Sequence, residues 1–178
     1  MGDFHKLIGV ECISPDIKHE KCILLWSNYY SMAKSIGFGF FLDRTLKKIV
    51  TVFLHHFKKN GIDLTIEQWV ILHRIHDMGD NASQVEISKL SYRNRATTSR
   101  VISGLCDRGL VKKKRFKGDQ KRFKLTVTKK GQKIIDKALP IVEELRAVGY
   151  QNINDKDFAS FMKVLDQLWE NYESIEKD

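Results

Sequence analysis

The chain has 178 residues, 42% of them hydrophobic and 30% charged, with a formal charge of +9. That supports one domain, or one core with appendages, and excludes an intrinsically disordered chain. The longest apolar run, Ile36 to Leu42, is far short of the about 20 residues a spanning helix needs, so no transmembrane segment is expected.

The N-terminus reads Met-Gly-Asp-Phe-His-Lys, with an acid where a signal peptide needs a basic stretch and no apolar stretch behind it. A cytoplasmic location is therefore expected. Cys12, Cys22 and Cys106 form no close-spaced pair, which fits a reducing compartment and argues against a disulfide framework or a four-cysteine zinc site. Pro15 breaks the chain, Asp16 can cap, and 17–35 reads as a helix with Ile23, Trp26, Tyr30 and Ala33 at spacings of three and four. Residues 1–35 form a helical extension in this reading.

Gly37 and Gly39 precede a second predicted helix over 40–59, with Leu42, Leu46, Ile49, Val50, Phe53, Leu54 and Phe57 on one stripe and Gly61 as its stop. Thr65-Ile66-Glu67-Gln68 is a capping box that starts a helix running to about Met78. Gly79-Asp80-Asn81 is a turn. Ser83-Gln84-Val85-Glu86 is a second capping box and opens a short helix to about Leu90, burying Val85, Ile87 or Leu90. After a three-residue turn, Asn94 caps a helix over 95–108 that Gly109 stops.

The period then changes from 3.6 to 2. Residues 110–116 and 122–128 are predicted strands, with Phe123, Leu125 and Val127 alternating with Arg122, Lys124 and Thr126. Residues 117–121 form the hairpin tip, Gly118 and Asp119 supplying its turn. Thr128 caps a long helix to about Tyr150, with Pro140 as a candidate kink. Asn154 or Asp155 caps a last helix to about Glu173.

Charge is concentrated around the hairpin. Residues 93–124 hold twelve Lys and Arg against two acids, leaving the rest of the chain near neutral. Such a cluster attracts polyanions, because Lys and Arg displace counterions condensed on a phosphate backbone. An anionic membrane would need an amphipathic basic helix with large apolar residues, and this region lacks one.

Two short helices followed by a basic hairpin read as a winged helix-turn-helix. On the 95–108 helix, Thr98, Val101, Ile102 and Leu105 fall together and face the core, while Ala96, Ser99, Arg100 and Ser103 fall opposite. Short side chains let the backbone approach a major groove, hydroxyls reach bases or phosphates, and Arg can fork onto guanine. Arg93, Asn94, Arg95 and Thr97 flank that face near the helix N-terminus, where free amides favour phosphate. The hairpin contributes Lys117, Gln120, Lys121 and Arg122 toward the adjacent backbone or minor groove. The bland alternative for each face is ordinary solvated surface.

The last helix carries Phe158, Phe161, Met162, Leu165, Leu168, Trp169, Tyr172 and Ile175 at alternating spacings of three and four. This heptad-like stripe needs cover, either from the same chain or from a second copy across a two-fold axis. The second option, with Phe158, Phe161, Leu165, Leu168, Trp169 and Tyr172 at the dimer interface, suits DNA: two recognition helices about 34 Å apart match one helical turn.

The segment Arg95-Ala96-Thr97-Thr98-Ser99-Arg100, followed by Leu105 and Asp107-Arg108-Gly109-Leu110-Val111, resembles the recognition-helix signature of MarR-type winged helix-turn-helix transcriptional regulators. Asp119 with Val127-Thr128-Lys129-Lys130-Gly131 is similar to that family's wing and its Leu-Thr-x-x-Gly close. Leu64-Thr65-Ile66-Glu67-Gln68-Trp69 resembles the start of its second helix. The likeness spans about residues 36–176. It implies a homodimer on a palindromic operator, with the helix in the major groove and the wing in the minor groove. It also implies repression relieved by a small aromatic or phenolic effector, or oxidant sensing through cysteine. The wing departs from the family pattern at Lys121, where an arginine is usual, with Arg122 next. The N-terminal extension also exceeds the family norm.

Other chemistry is sparse. His73 and His76, with Asp77 and Asp80 nearby, permit a shared metal, although surface histidines are the commoner outcome. Cys106, near Arg108, is a candidate thiolate. Trp26, Tyr29, Tyr30 and Trp69 can line an aromatic pocket or simply pack a core. No phosphate loop, nucleophile elbow or paired-carboxylate motif occurs. The expected fold is mainly α with a small antiparallel β-hairpin wing, a winged helix-turn-helix (65–128) flanked by helical dimerisation regions (36–64 and 129–178). The expected function is a non-enzymatic DNA-binding regulator without metal or cofactor, whose partners are double-stranded DNA and a second copy. The alternative is a winged-helix module that offers the same basic face to an acidic protein.

Overall fold

A computed structural model of the chain describes Ser31 and residues 37–90, 95–116 and 119–175. The expected 17–35 helix and the 91–93 turn lie outside the described residues. The elements in order are α1 (Phe38–Lys59), α2 (Ile66–Met78), a 3-10 turn (Gly79–Asn81), α3 (Gln84–Leu90), α4 (Arg95–Asp107), β1 (Val111–Phe116), β2 (Asp119–Val127), α5 (Lys129–Gly149) and α6 (Asp155–Ile175). The fold is thus mainly helical with one antiparallel hairpin, as expected. Contacts divide the chain into two units, 1–52 and 53–178, and the boundary falls inside α1.

Local chemistry sets the ends of the helices. Thr65 Oγ1 accepts the Gln68 amide and Gln68 Oε1 accepts the Thr65 amide, both at 3.2 Å, which completes the capping box of α2. The Ser83 hydroxyl accepts the Glu86 amide at 3.3 Å in the first turn of α3. Asn154, rather than Asp155, caps α6: its Oδ1 accepts the Asp157 amide at 2.9 Å. Helix α5 continues through Pro140. Gly61 and Gly109 have φ of +63° and +69°, so α1 and α4 are each followed by a left-handed residue.

In the second unit Phe57, Ile62, Leu64, Trp69, Ile71, Leu72, Ile75, Ile87, Ile102, Leu105, Leu125, Ile135 and Val142 form one buried cluster. Trp69 packs edge-on against Phe57, with ring centroids 5.9 Å apart. It is therefore a core residue and not the wall of an aromatic pocket; Trp26, Tyr29 and Tyr30 lie outside the described residues. Of the three α3 candidates for burial, Ile87 is fully buried and Val85 only half-buried.

The hairpin differs from expectation at its tip. Its register runs from Val111↔Val127 through Arg115↔Phe123, then shifts so that Phe116 pairs with Asp119. β2 therefore begins at Asp119, and Asp119, Gln120 and Lys121 belong to a strand rather than to the turn. The extra pairing follows from an irregularity at Arg115 and Phe116, which strict alternation does not reveal. A bridge between Ser83 and Lys124, with the Leu125 amide donating to the Ala82 carbonyl at 2.8 Å, ties β2 to the start of α3.

Candidate nucleic-acid interface

Helix α4 is anchored by one face only. Thr98, Ile102 and Leu105 are buried and Val101 packs against them half-buried. Arg95, Ala96, Arg100 and Ser103 are exposed, and Thr97 and Ser99 are half-buried on the flanks. The helix thus presents a short-side-chain surface with two exposed cations and no bulky obstruction. Arg93, Asn94 and Lys117 lie outside the described residues. Gln120, Lys121 and Arg122 lie on β2.

The wing meets this helix at its N-terminal end. Arg95 and Ser99 line a cavity of about 210 Å³ together with Ser83, Gln84, Val85, Lys113 and Phe123. The Lys113 ammonium sits 4.2 Å from the centre of the Phe123 ring and donates to Gln84 Oε1 at 3.2 Å; the Arg115 guanidinium lies 5.9 Å from the same ring. Phe123 thereby holds two wing cations beside α4. Sequence reasoning missed Lys113 and Phe123 as a pair. The signal was present in the alternation, but the cross-strand register was needed to bring them together.

The other end of α4 is clamped. Arg108 donates to Gln68 Oε1 at 3.1 Å, to the Asp63 carbonyl, and to Asp63 Oδ2 at 3.0 Å. The Lys130 ammonium donates to the Arg108 carbonyl at 2.9 Å. The Thr128 hydroxyl donates to the Gly109 carbonyl at 2.7 Å and accepts the Gly131 amide at 3.1 Å. A β-carbon at Gly131 would overlap the Leu110 carbonyl oxygen, so the threonine-x-x-glycine spacing is a packing requirement. One member of the basic cluster, Arg108, is therefore engaged inside the fold.

Burial raises the Cys106 thiol above its ordinary pKa; Lys113 opposes this and Asp107 reinforces it. Cys106 is thus not an activated thiolate, and the cation expected to activate it, Arg108, is turned to Asp63 and Gln68. His73 Nδ1 lies 2.9 Å from Asp77 Oδ2. Among the described residues no group of three His, Cys, Asp or Glu is arranged to hold a metal ion. No described helix is long and apolar enough to cross a membrane. An open groove of about 720 Å³ runs over the Arg108 clamp, bordered by Leu54, Lys58, Ile62, Thr65 and Gln68.

In helix α6 no residue is buried. Phe158, Phe161, Met162, Trp169, Tyr172 and Ile175 are exposed, and Leu165 and Leu168 are half-buried.

Residues 64–123, from the α2 capping box to the wing, match the model of the MarR family. The winged helix is of the MarR type. Similar solved structures include S. aureus MepR in complex with DNA, at 16% identity and a TM-score of 0.69, covering 76% of this chain and 98% of that one. A mutant of E. coli MarR complexed with operator DNA is 18% identical, with a TM-score of 0.67 and coverage of 76% and 96%. Bordetella bronchiseptica BpsR, whose DNA binding is regulated by 6-hydroxynicotinic acid, is 21% identical, with a TM-score of 0.60 and coverage of 75% and 94%. At these identities the likeness is one of fold.

Proposed function

We propose that the chain is a non-enzymatic, sequence-specific DNA-binding transcriptional regulator that acts as a homodimer on a palindromic operator, as a repressor. The observation that carries this reading is helix α4: one face sealed by Thr98, Ile102 and Leu105, the other open and lined by Ala96, Arg100 and Ser103, with wing cations fixed beside it. A cationic surface with a slim helix at its centre fits a major groove. The MarR-type match over the same residues supports it, as do DNA complexes among proteins of similar fold. Arg93, Asn94, Arg95, Thr97, Ser99, Arg100 and Ser103 are the proposed helix contacts, and Lys117, Gln120, Lys121 and Arg122 those of the wing.

The uncovered stripe of α6 supports self-association through Phe158, Phe161, Leu165, Leu168, Trp169 and Tyr172. Relief by a small aromatic acid is the proposed mode of regulation, by analogy with the action of 6-hydroxynicotinic acid on BpsR. Titration of a labelled mixed-sequence duplex across a salt series tests the central claim. Steeply salt-dependent binding is expected; binding that is absent or insensitive to salt overturns the reading in favour of a protein-interaction module.

A further inference from the structure

Both strands of the wing are tied to the start of α3. From β2 the ties are backbone: Ser83 bridges Lys124, and the Leu125 amide donates to the Ala82 carbonyl. From β1 the tie is a side chain. Lys113 stands opposite Leu125 and Arg115 opposite Phe123, so the four share the face that closes on the core through buried Leu125. From that face the Lys113 ammonium donates to Oε1 of Gln84, the first residue of α3, at 3.2 Å. It also rests 4.2 Å from the centre of the half-buried Phe123 ring. The cavity that these three residues border is completed from α4 by Arg95 and Ser99.

A lysine that serves a phosphate acts as a compact, strongly hydrated point charge. The Lys113 ammonium is committed elsewhere: a ring face attracts it on one side, and an amide oxygen takes one of its three protons on another. A two-stranded hairpin is marginally stable by itself, so its angle to the helices is set by contacts of this kind. Leucine at position 123 would supply similar apolar bulk but would not attract a cation. The geometry therefore uses the aromatic character of Phe123 and not only its volume.

We propose that Lys113 is a positioning residue and not a phosphate contact: with Phe123 and Gln84 it latches β1 to the first turn of α3 and sets the angle between the wing and α4 before DNA arrives. The inference rests on the DNA-binding reading above. What it adds is that one cation of the basic cluster acts on the protein itself, through a ring that holds it in place.

The test uses the full-length protein and the duplex it enriches from a random-sequence pool, titrated across a salt series below the melting temperature of every variant. K113M and F123L should each weaken binding about three- to tenfold per bound protomer, the loss expected when a cation–π contact and a hydrogen bond stop holding the binding orientation. In both, the log-log salt slope should stay within about half a unit of the wild type per protomer, whereas a lost phosphate contact removes about 0.9. K113M/F123L should bind within about twofold of the weaker single variant, because the two residues act as one unit. F123Y should bind as the wild type does, since its ring still attracts the ammonium. Q84A, which leaves the ring in place, should fall between the wild type and K113M. A slope lowered by about 0.9 per protomer in K113M makes Lys113 a phosphate contact and overturns the inference, leaving the DNA-binding reading intact. Single losses that multiply in the double variant overturn it in the same way. So does F123L binding as tightly as the wild type, or F123Y binding as weakly as F123L, since Phe123 would then serve packing alone. Should F123L fail to fold, K113M/Q84A replaces the double variant, with no loss beyond that of K113M expected and multiplied losses overturning the latch. A wild type with no salt-dependent binding removes the DNA-binding reading itself, and the inference with it.

Discussion

Arg108 Nη2 lies 3.0 Å from Asp63 Oδ2 across 45 residues of sequence, joining the end of α4 to the loop between α1 and α2. The carboxylate is almost wholly exposed, so its charge adds little, whereas the Asp63 carbonyl and Gln68 Oε1 take the guanidinium as a fixed fork. Arg108→Ala should lower stability by about 1–3 kcal/mol, and Asp63→Ala by no more than about 1 kcal/mol. Urea unfolding of both variants checks the ordering. Equal losses would mean that the ion pair, and not the neutral acceptors, holds the helix end.

Gly131 meets the Leu110 carbonyl so closely that no side chain fits, and the obstacle is backbone rather than a movable side chain. Gly131→Ala should destabilise the fold by about 1–3 kcal/mol despite the better helix propensity of alanine. A thermal melt showing an unchanged or raised midpoint would contradict the packing argument.

Much of this architecture could be read in the sequence because it is local. The Thr65–Gln68 box, Gly61, Gly109 and the face of α4 are fixed by residues a few positions apart, and each lies where spacing predicts. What escaped is non-local. The pairing of Phe116 with Asp119 depends on an irregularity, the grip of Phe123 on Lys113 on cross-strand register, and the use of Arg108 on a partner in another loop. Arg108, counted in the basic cluster, proves to be engaged, and Trp69, open between pocket wall and core, proves to be core. Residue type indicates chemistry, but only the tertiary fold says whether that chemistry is already engaged.

Arg100 is exposed on the open face of α4 and lies outside the buried cluster. Arg100→Ala should therefore weaken binding to the enriched operator by about 1–3 kcal/mol if it reads a base, with little change in melting temperature. Competition against mixed-sequence duplex at fixed salt separates base reading from phosphate contact. A loss shared equally by both duplexes would make Arg100 a backbone anchor, and no loss would remove it from the interface.

Helix α6 leaves Phe161 and Trp169 about half exposed, at 51% and 52%, within the chain. Cover by a second copy would bury both, and charge there could not be accommodated. On the homodimer proposed above, F161E/W169E should give a monomer in light scattering and weaken operator binding, since the two proposed recognition helices would no longer be linked. A dimer of unchanged mass would place the association surface elsewhere.

Burial raises the thiol pKa of Cys106, so the folded chain holds its proton more tightly than the unfolded chain does. The sign follows directly. The contribution is fully present below the ordinary thiol pKa and is lost as pH rises through the raised folded value. In a C12S/C22S background, alkylation of Cys106 should accelerate only above the pH at which the unfolded chain reacts, and stability should decline over that alkaline window. The same thiol should be slow toward peroxide at neutral pH. Labelling that reaches half-rate below the unfolded reference would reverse the assignment and make Cys106 an activated thiolate.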